Sequence, residues 1–291
     1  MRDHDDVHDG ARDEAHRVDV LRTRTTPASA VRDALVIGRR NLLRNVRLPQ
    51  LLVFATVQPI MFLVLFAYVF GGAIEGTLPA AAGGIYLNWL VPGLMIQVAA
   101  FGSGQTALGL AEDLQNGVID RFRSLPMARS AVLAGRTGAD LVRNAFVIGL
   151  MVGVGTLLGF RYQTSFVRFL AGFALALLFA HALSWVMAVV GLRVRTPEAV
   201  QSAAFIPVFP LVFASSVFLP TATMPTWLRV FADNQPLTVV TNAMRGLMLG
   251  EGALPPGQDL TTEIVRALLW IAAITAVAST AAVGSYRRIT T

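Results

Sequence analysis

The 291-residue chain contains neither cysteine nor lysine. The first absence removes any disulfide framework or thiolate metal site. The second removes a Walker A phosphate loop, whose lysine must reach the nucleotide phosphates. If ATP drives this protein, a different subunit binds it. Charge of either sign is scarce. Only 14% of residues are charged, against about 25% in ordinary soluble domains, while 54% are apolar and the mean hydropathy is +0.59. This is the composition of an integral membrane protein. All 24 basic residues are arginine, for a net charge of +6. They collect at the ends of apolar runs, where they set topology and meet anionic headgroups. A nucleic-acid partner is therefore not expected.

Residues 1–26 hold seven acids, five Arg and three of the four His (His4, His8, His16), with no apolar core for a signal peptide. They read as a disordered cytoplasmic tail whose His spacing fits no metal site. Residues 27–291 read as a single membrane domain. It opens on an amphipathic interface helix over 28–48. Ala34, Leu35, Ile37, Leu42, Leu43 and Val46 form its apolar stripe, and Arg32, Arg39, Arg40, Arg44 and Arg47 its polar face. Pro49 ends it.

A spanning helix needs about 20 mostly apolar residues. Six segments qualify: Leu51–Phe70, Tyr86–Ala111, Ala145–Phe160, Val167–Leu192, Ala199–Leu219 and Ile264–Tyr286. Pro59 kinks the first, and Pro207 and Pro210 interrupt the fifth. The expected fold is an all-α, polytopic, six-span bundle with both termini on one side. With the N-terminus inside, 19 of the 24 Arg fall in cytoplasmic segments, so the positive-inside rule places both termini in the cytoplasm.

Two segments between spans carry the mechanical content. Glu112–Asn144 is a charged island with five Arg and four acids. Its first part, about 113–127, reads as a short amphipathic helix ending at Pro126, and its second part as the lead into span three. Pro220–Gly250 is too polar to span and too apolar for an exposed loop. It reads as a broken helical hairpin dipping into the outer leaflet. One arm carries Trp227, Leu228 and Phe231, Asn234-Gln235-Pro236 breaks the hairpin, and the other arm sets Leu237, Val240, Met244, Leu247 and Met248 on one side. Irregular backbone at such depth must be buried in protein or face water.

The span interiors are nearly free of ionisable groups, His181 excepted. Buried carboxylates or His chains carry the ion in coupled transporters, so ion coupling is disfavoured. Gln97, Gln105 and His181 are the candidate polar cavity residues, with a simple helix–helix hydrogen bond as the competing reading for His181. Gly102-Ser103-Gly104 with His181 is loosely similar to an intramembrane serine protease, but Phe101 stands where that motif requires its first Gly.

The order of elements, together with Asn116-Gly117-Val118-Ile119-Asp120-Arg121-Phe122-Arg123-Ser124-Leu125-Pro126-Met127, resembles the ABC transporter type-2 permeases, and in particular the daunorubicin-resistance-type drug exporter permeases. Asn88-Trp89-Leu90-Val91-Pro92-Gly93 is similar to the start of that family's second span. Phe218-Leu219-Pro220, Met224-Pro225, Trp227-Leu228, Asn234-Gln235-Pro236 and Arg245 follow its outer pattern. The resemblance implies a half-transporter in the bacterial plasma membrane that dimerises, with itself or a related permease, and binds two copies of a cognate ABC ATPase. ATP and Mg then sit on that partner and no cofactor on this chain. It also implies an exporter of a hydrophobic or amphipathic drug or lipid-like compound working by alternating access. Gly117, Ile119, Asp120, Arg121, Phe122, Arg123, Leu125 and Pro126 would couple to the ATPase. Trp227, Asn234, Gln235, Pro236 and Arg245 would gate the outer exit. A permease for a lipid-linked glycan or membrane lipid is the main alternative. A secondary transporter or an intramembrane protease is further from the residues.

Overall fold

A long apolar run in lipid can satisfy its backbone only within itself, which makes helix the default. The computed structural model describes residues 27–47, 49–74, 76, 78, 83, 85–118, 129–194 and 196–290, and every regular element among them is helical. The 1–26 tail lies outside the described residues. The helices are α1 (Pro27–Arg47), α2 (Pro49–Leu65, continued by a π-helical turn Phe66–Phe70 and by Gly71–Ile74), α3 (Tyr86–Gln115), α4 (Arg129–Leu158), α5 (Phe166–Val194), α6 (Pro197–Phe213), α7 (Thr226–Asn234), α8 (Pro236–Leu249) and α9 (Leu260–Thr290).

Among the described residues, five helices are long and apolar enough to cross a membrane: Val53–Ile74, Tyr86–Gln115, Ala131–Leu158, Phe166–Val194 and Leu260–Tyr286. The fifth expected span differs. α6 has 17 residues, or about 25 Å at 1.5 Å per residue, against a hydrocarbon core of about 30 Å. Pro207 and Pro210 remove two helical N–H donors, and the helix stops at Phe213 instead of reaching Leu219. The third expected span differs the other way. α4 begins at Arg129, well before Ala145, and draws Arg136, Asp140 and Arg143 into the helix.

α3 is the central post, buried continuously from Tyr86 to Ala100. α5 approaches it closely because Gly191 has no side chain; a Cβ there would overlap the Ala107 backbone. α8 is buried on every face from Leu237 to Leu249 among α3, α5 and α9, where the sequence suggested burial on one side. Its polar side chains, Thr238, Thr241, Asn242 and Arg245, are buried with hydrogen-bond partners. Its last carbonyls find partners in the α4–α5 connection, where Gln163 N–H donates to Met248 O (2.8 Å) and the Thr164 hydroxyl to Leu247 O (2.6 Å). Asp259 caps α9, accepting from the Thr262 amide (2.7 Å) and hydroxyl (2.6 Å). Those bonds hold its carboxyl below its usual range.

α1 packs along α4, burying Ile37 and Asn41. Val31, Leu35, Val36 and Leu43 stay exposed, an uncovered apolar face of the kind an interface helix presents to lipid. The contact is tight at Gly135, where a Cβ would lie 2.5 Å from Ala34 O and 2.9 Å from Ile37 Cβ. Gly135→Val should therefore push α1 off α4 and cost about 1–3 kcal/mol. Gly149→Val, whose Cβ meets nothing within 4 Å, should be near neutral in the same thermal melt of the purified protein.

Candidate functional site

At the island end, helix ends carry charge because that charge is paired. Asp113, in the last turn of α3, receives Arg40 NH2 from α1 (3.3 Å) and Arg136 NH1 from α4 (3.4 Å). Arg136 NH2 also donates to Gln105 O (3.2 Å), and a Cβ on Gly109 would overlap the guanidinium. Asp140 lies 3.6 Å from Arg136 Nε and accepts from the Thr106 hydroxyl (2.6 Å). Arg143 NH2 donates to Gly102 O (2.5 Å). Three Arg and two Asp thus tie α1, α3 and α4 together. Hydropathy alone makes residues 129–144 look like a loop, since it scores each charge as exposed. The usable signal was spacing: Arg136, Asp140 and Arg143 are one helical face. Beyond α3, Gly117 takes a left-handed φ of 66° and its N–H bonds Leu114 O (3.2 Å), a glycine helix stop. Ile119, Asp120, Arg121, Phe122, Arg123, Leu125 and Pro126 lie outside the described residues.

Above this cluster, two cavities flank α3. One, of about 100 Å³, lies between α2, α3 and α4, with Gln58, Gln97, Phe101, Gln105, Arg143 and Asn144 in its wall. The other, of about 120 Å³, lies between α3, α5 and α6, with Met187, Gln201 and Phe205 in its wall. Phe101 and Gln105 belong to both.

From Phe101 an unbroken series of ring contacts runs toward the hairpin. Phe101–Phe205 centroids are 5.6 Å apart, Phe205–Phe209 5.2 Å, Phe209–Phe213 4.5 Å, Phe213–Phe218 5.0 Å and Phe218–Phe66 4.5 Å. All fall in the favourable range for aromatic pairs. Phe205, Phe209 and Phe213 follow the four-residue helical repeat, and each remains over a third exposed.

At the hairpin end, Gln235 breaks the chain between α7 and α8 and donates to the carbonyls of Leu211 (3.1 Å) and Ala214, pinning α8 to the end of α6. Pro236 opens α8 and the Asn234 amide closes α7 on Val230 O (2.9 Å). Trp227 on α7 is 75% exposed. Arg245, near the C-terminal end of α8, is fully buried and donates to Trp89 O (3.1 Å), Ser216 Oγ (3.2 Å) and Val217 O (3.0 Å). Its guanidinium sits 3.6 Å from the Trp89 ring centroid. Tyr86 adds a bond to Phe218 O (2.9 Å). Gly93 faces the same turn, and a Cβ there would overlap the Val217 carbonyl.

The profile of the ABC-2 type transporter family matches residues 32–249, from within α1 to the end of α8. The chain belongs to that family. It is 32% identical over 227 residues, 78% of each chain, to the daunorubicin resistance ABC transporter permease of Streptomyces coeruleorubidus. It is 30% identical over 261 residues, 84% of this chain and 87% of the other, to the doxorubicin resistance ABC transporter permease DrrB of Mycobacterium tuberculosis. To that organism's probable doxorubicin resistance permease DrrC it is 26% identical over 237 residues, 81% and 82% of the two chains. As an ABC-2 family member this all-helical, multi-pass protein is a permease subunit of an ABC exporter, and such a permease works with an ATPase subunit.

Within this ABC-2 chain His181 stands apart from both cavity linings. Its Nε2 accepts from Trp185 Nε1 (3.1 Å) on the same helix, the rings edge to face. That bond is within α5, and the imidazole also interacts with the Thr137 backbone of α4, as a helix–helix contact would. The Ser103 hydroxyl is buried and donates to Ala100 O (2.6 Å). Serine and histidine are each engaged elsewhere, so the protease-like pairing is not formed. Sequence reasoning passed over Asp113, Arg136, Asp140 and Arg143 as a unit, and over Asn144 in the cavity wall.

Proposed function

We propose that this chain is the membrane half of a bacterial plasma-membrane exporter that moves a hydrophobic or amphipathic drug outward by alternating access. Two permease copies and two ATPases form the working unit, and ATP and Mg are held by the ATPases. The observation that carries the cargo assignment is the aromatic series from Phe101 to Phe66 beside a cleft with a few amides. Exposed rings offer planar apolar compounds sequence-tolerant stacking, while isolated amides orient them. A glycan would call for a denser set of hydrogen-bonding groups. The relatives named for daunorubicin and doxorubicin resistance support a drug.

In this reading both termini are cytoplasmic and the segment Gly117–Pro126 docks on the ATPase. Ile119, Phe122 and Leu125 enter a groove there, and Asp120, Arg121 and Arg123 fix orientation by charge. The paired cluster at Asp113 and Arg136 then passes the motion to α3 and α4. ATP supplies the differential free energy between inward- and outward-open states. Trp227, Asn234, Gln235, Pro236 and Arg245 control the exit.

Co-purification tests the scheme. Phe122→Asp should weaken ATPase retention at least tenfold, since burying a Phe is worth about 1.5–3 kcal/mol, and should abolish drug-stimulated ATP hydrolysis. Trp227→Ala should reduce efflux and leave the complex intact. Full retention and full stimulation in Phe122→Asp would remove this segment from the coupling role.

A further inference from the structure

The cavity between α2, α3 and α4 carries an unusual set of unsatisfied atoms. Arg143 Nε, Asn144 Nδ2 and Gln97 Oε1 are buried and have no hydrogen-bond partner. All three residues line that cavity. Gln97 is 3% exposed and Asn144 1%, and the Arg143 side chain is 9% exposed. Buried polar groups are normally satisfied, and an exception needs an explanation.

The surrounding charges do not supply one. The nearest carboxylate to Arg143 is Asp140, at 3.9 Å from Nε, too far for a hydrogen bond. Asp140 is closer to Arg136 and is bonded by Thr106. Asp113 is shared by Arg40 and Arg136. Of these guanidinium groups, Arg143 is the one whose nearest carboxylate contact lies beyond hydrogen-bond reach. It is also the one on the cavity wall.

The volume narrows the occupant. About 100 Å³ exceeds what single waters need but falls short of the roughly 300–1,000 Å³ of a drug-sized site. It admits an end group and not a whole molecule. Phe101, where the aromatic series begins, is part of the same wall. An amphiphile can lay its apolar body on the rings and insert its polar end here.

We propose that this cavity is a subsite for the oxygen-acceptor end of an amphiphile, a carboxylate, phosphate or carbonyl. Arg143 and Asn144 donate to the acceptor oxygens, while Gln97 Oε1, itself an acceptor, takes an N–H or O–H donor outside that group. Arg143 is the specificity-determining residue and disfavours an ammonium. The inference deepens the exporter reading and rests on it only for what delivers the amphiphile. The same chemistry comes from an exported compound or from an anionic phospholipid of the surrounding leaflet.

The test uses the permease with its ATPase, reconstituted in phosphatidylcholine vesicles without ATP. A dansyl fatty acid and its amine counterpart are titrated in parallel. A charge-assisted hydrogen bond predicts about tenfold tighter binding of the acid. Arg143→Lys should keep most of that preference, and Arg143→Gln should lose it. Gln97→Glu places a second carboxylate at the site without touching the Arg143–Gly102 bond, and should lose it too, which keeps the test decisive if Arg143→Gln misfolds. Native mass spectrometry after adding phosphatidylglycerol identifies the source. Retention by wild type but not by Gln97→Glu assigns a resident lipid, and displacement of that lipid by the dansyl acid assigns cargo; either result supports the subsite. Equal binding of the two probes by wild type with no retained phosphatidylglycerol overturns it, leaving ordinary water in the cavity. ATP-driven efflux is measured on the same vesicles: efflux with equal binding of the two probes and no retained phosphatidylglycerol sinks the subsite alone, and acid preference without efflux sinks the exporter reading alone.

Discussion

Arg245→Ala should destabilise the protein by about 3–5 kcal/mol, read as a large fall in the thermal midpoint of the purified protein in detergent. Three acceptors, Trp89 O, Ser216 Oγ and Val217 O, lose a charged donor at once, and bonds to charged groups contribute about 1.5–3 kcal/mol each before partial compensation. A cavity opens where the guanidinium lay over Trp89. Desolvation of the cation works in the opposite direction, which is why the expected loss is less than the sum of the bonds. Arg245→Lys should recover under half, because an ammonium is a point donor and cannot reproduce a planar fork bonded to three groups while stacked on a ring. Arg245→Met, which fills the space and removes the buried charge, should fall between Lys and Ala. If Arg245→Ala melts with wild type, the residue does not hold α8 to α3 and the 214–219 turn.

Asp140→Ala should cost a similar amount, about 3–5 kcal/mol, for a different reason. It leaves Arg136 and Arg143 inside the bundle with only Asp113 against them. Breaking a buried ion pair by removing one partner is far worse than replacing both. The double variant Arg136→Met/Asp140→Leu should therefore be more stable than Asp140→Leu alone, a non-additivity that thermal melts of Arg136→Met, Asp140→Leu and the double variant reveal directly. Strictly additive losses would mean that the two residues act independently.

These two sites also mark where sequence reasoning reached and where it stopped. The hairpin break was legible, because Gln235-Pro236 removes helical donors in any environment, and the structure divides α7 from α8 at that residue. Arg245 was picked out only through the family resemblance. Nothing in its own helix says that a lone cation is fully buried, since its partners are the Trp89 and Val217 carbonyls and the Ser216 hydroxyl, all distant in sequence, and long-range pairing leaves no local pattern in side chains. The boundaries of α2, α3, α5 and α9 follow from apolar length, which lipid enforces. α4 escaped the same rule because its first half satisfies charge by pairing, and a hydropathy window cannot distinguish a paired arginine from a solvated one. α6 escaped it because composition counts residues through Leu219 while the helix, with two prolines inside it, stops at Phe213. The cavity amides were visible as polar letters in apolar runs. Which of them share a wall was not, since that depends on how α2, α3 and α4 are rotated against each other.

The ion pair between Asp113 and Arg136 has a further mechanical meaning. It joins the last turn of α3 to the early turns of α4, so the two helices are tied at their ends. A load applied at that end of either helix tilts the two together as one lever. α1, bonded through Arg40 to the same carboxylate, is a stay on that lever. Asp113 is thus a carboxylate on which three helices, α1, α3 and α4, converge.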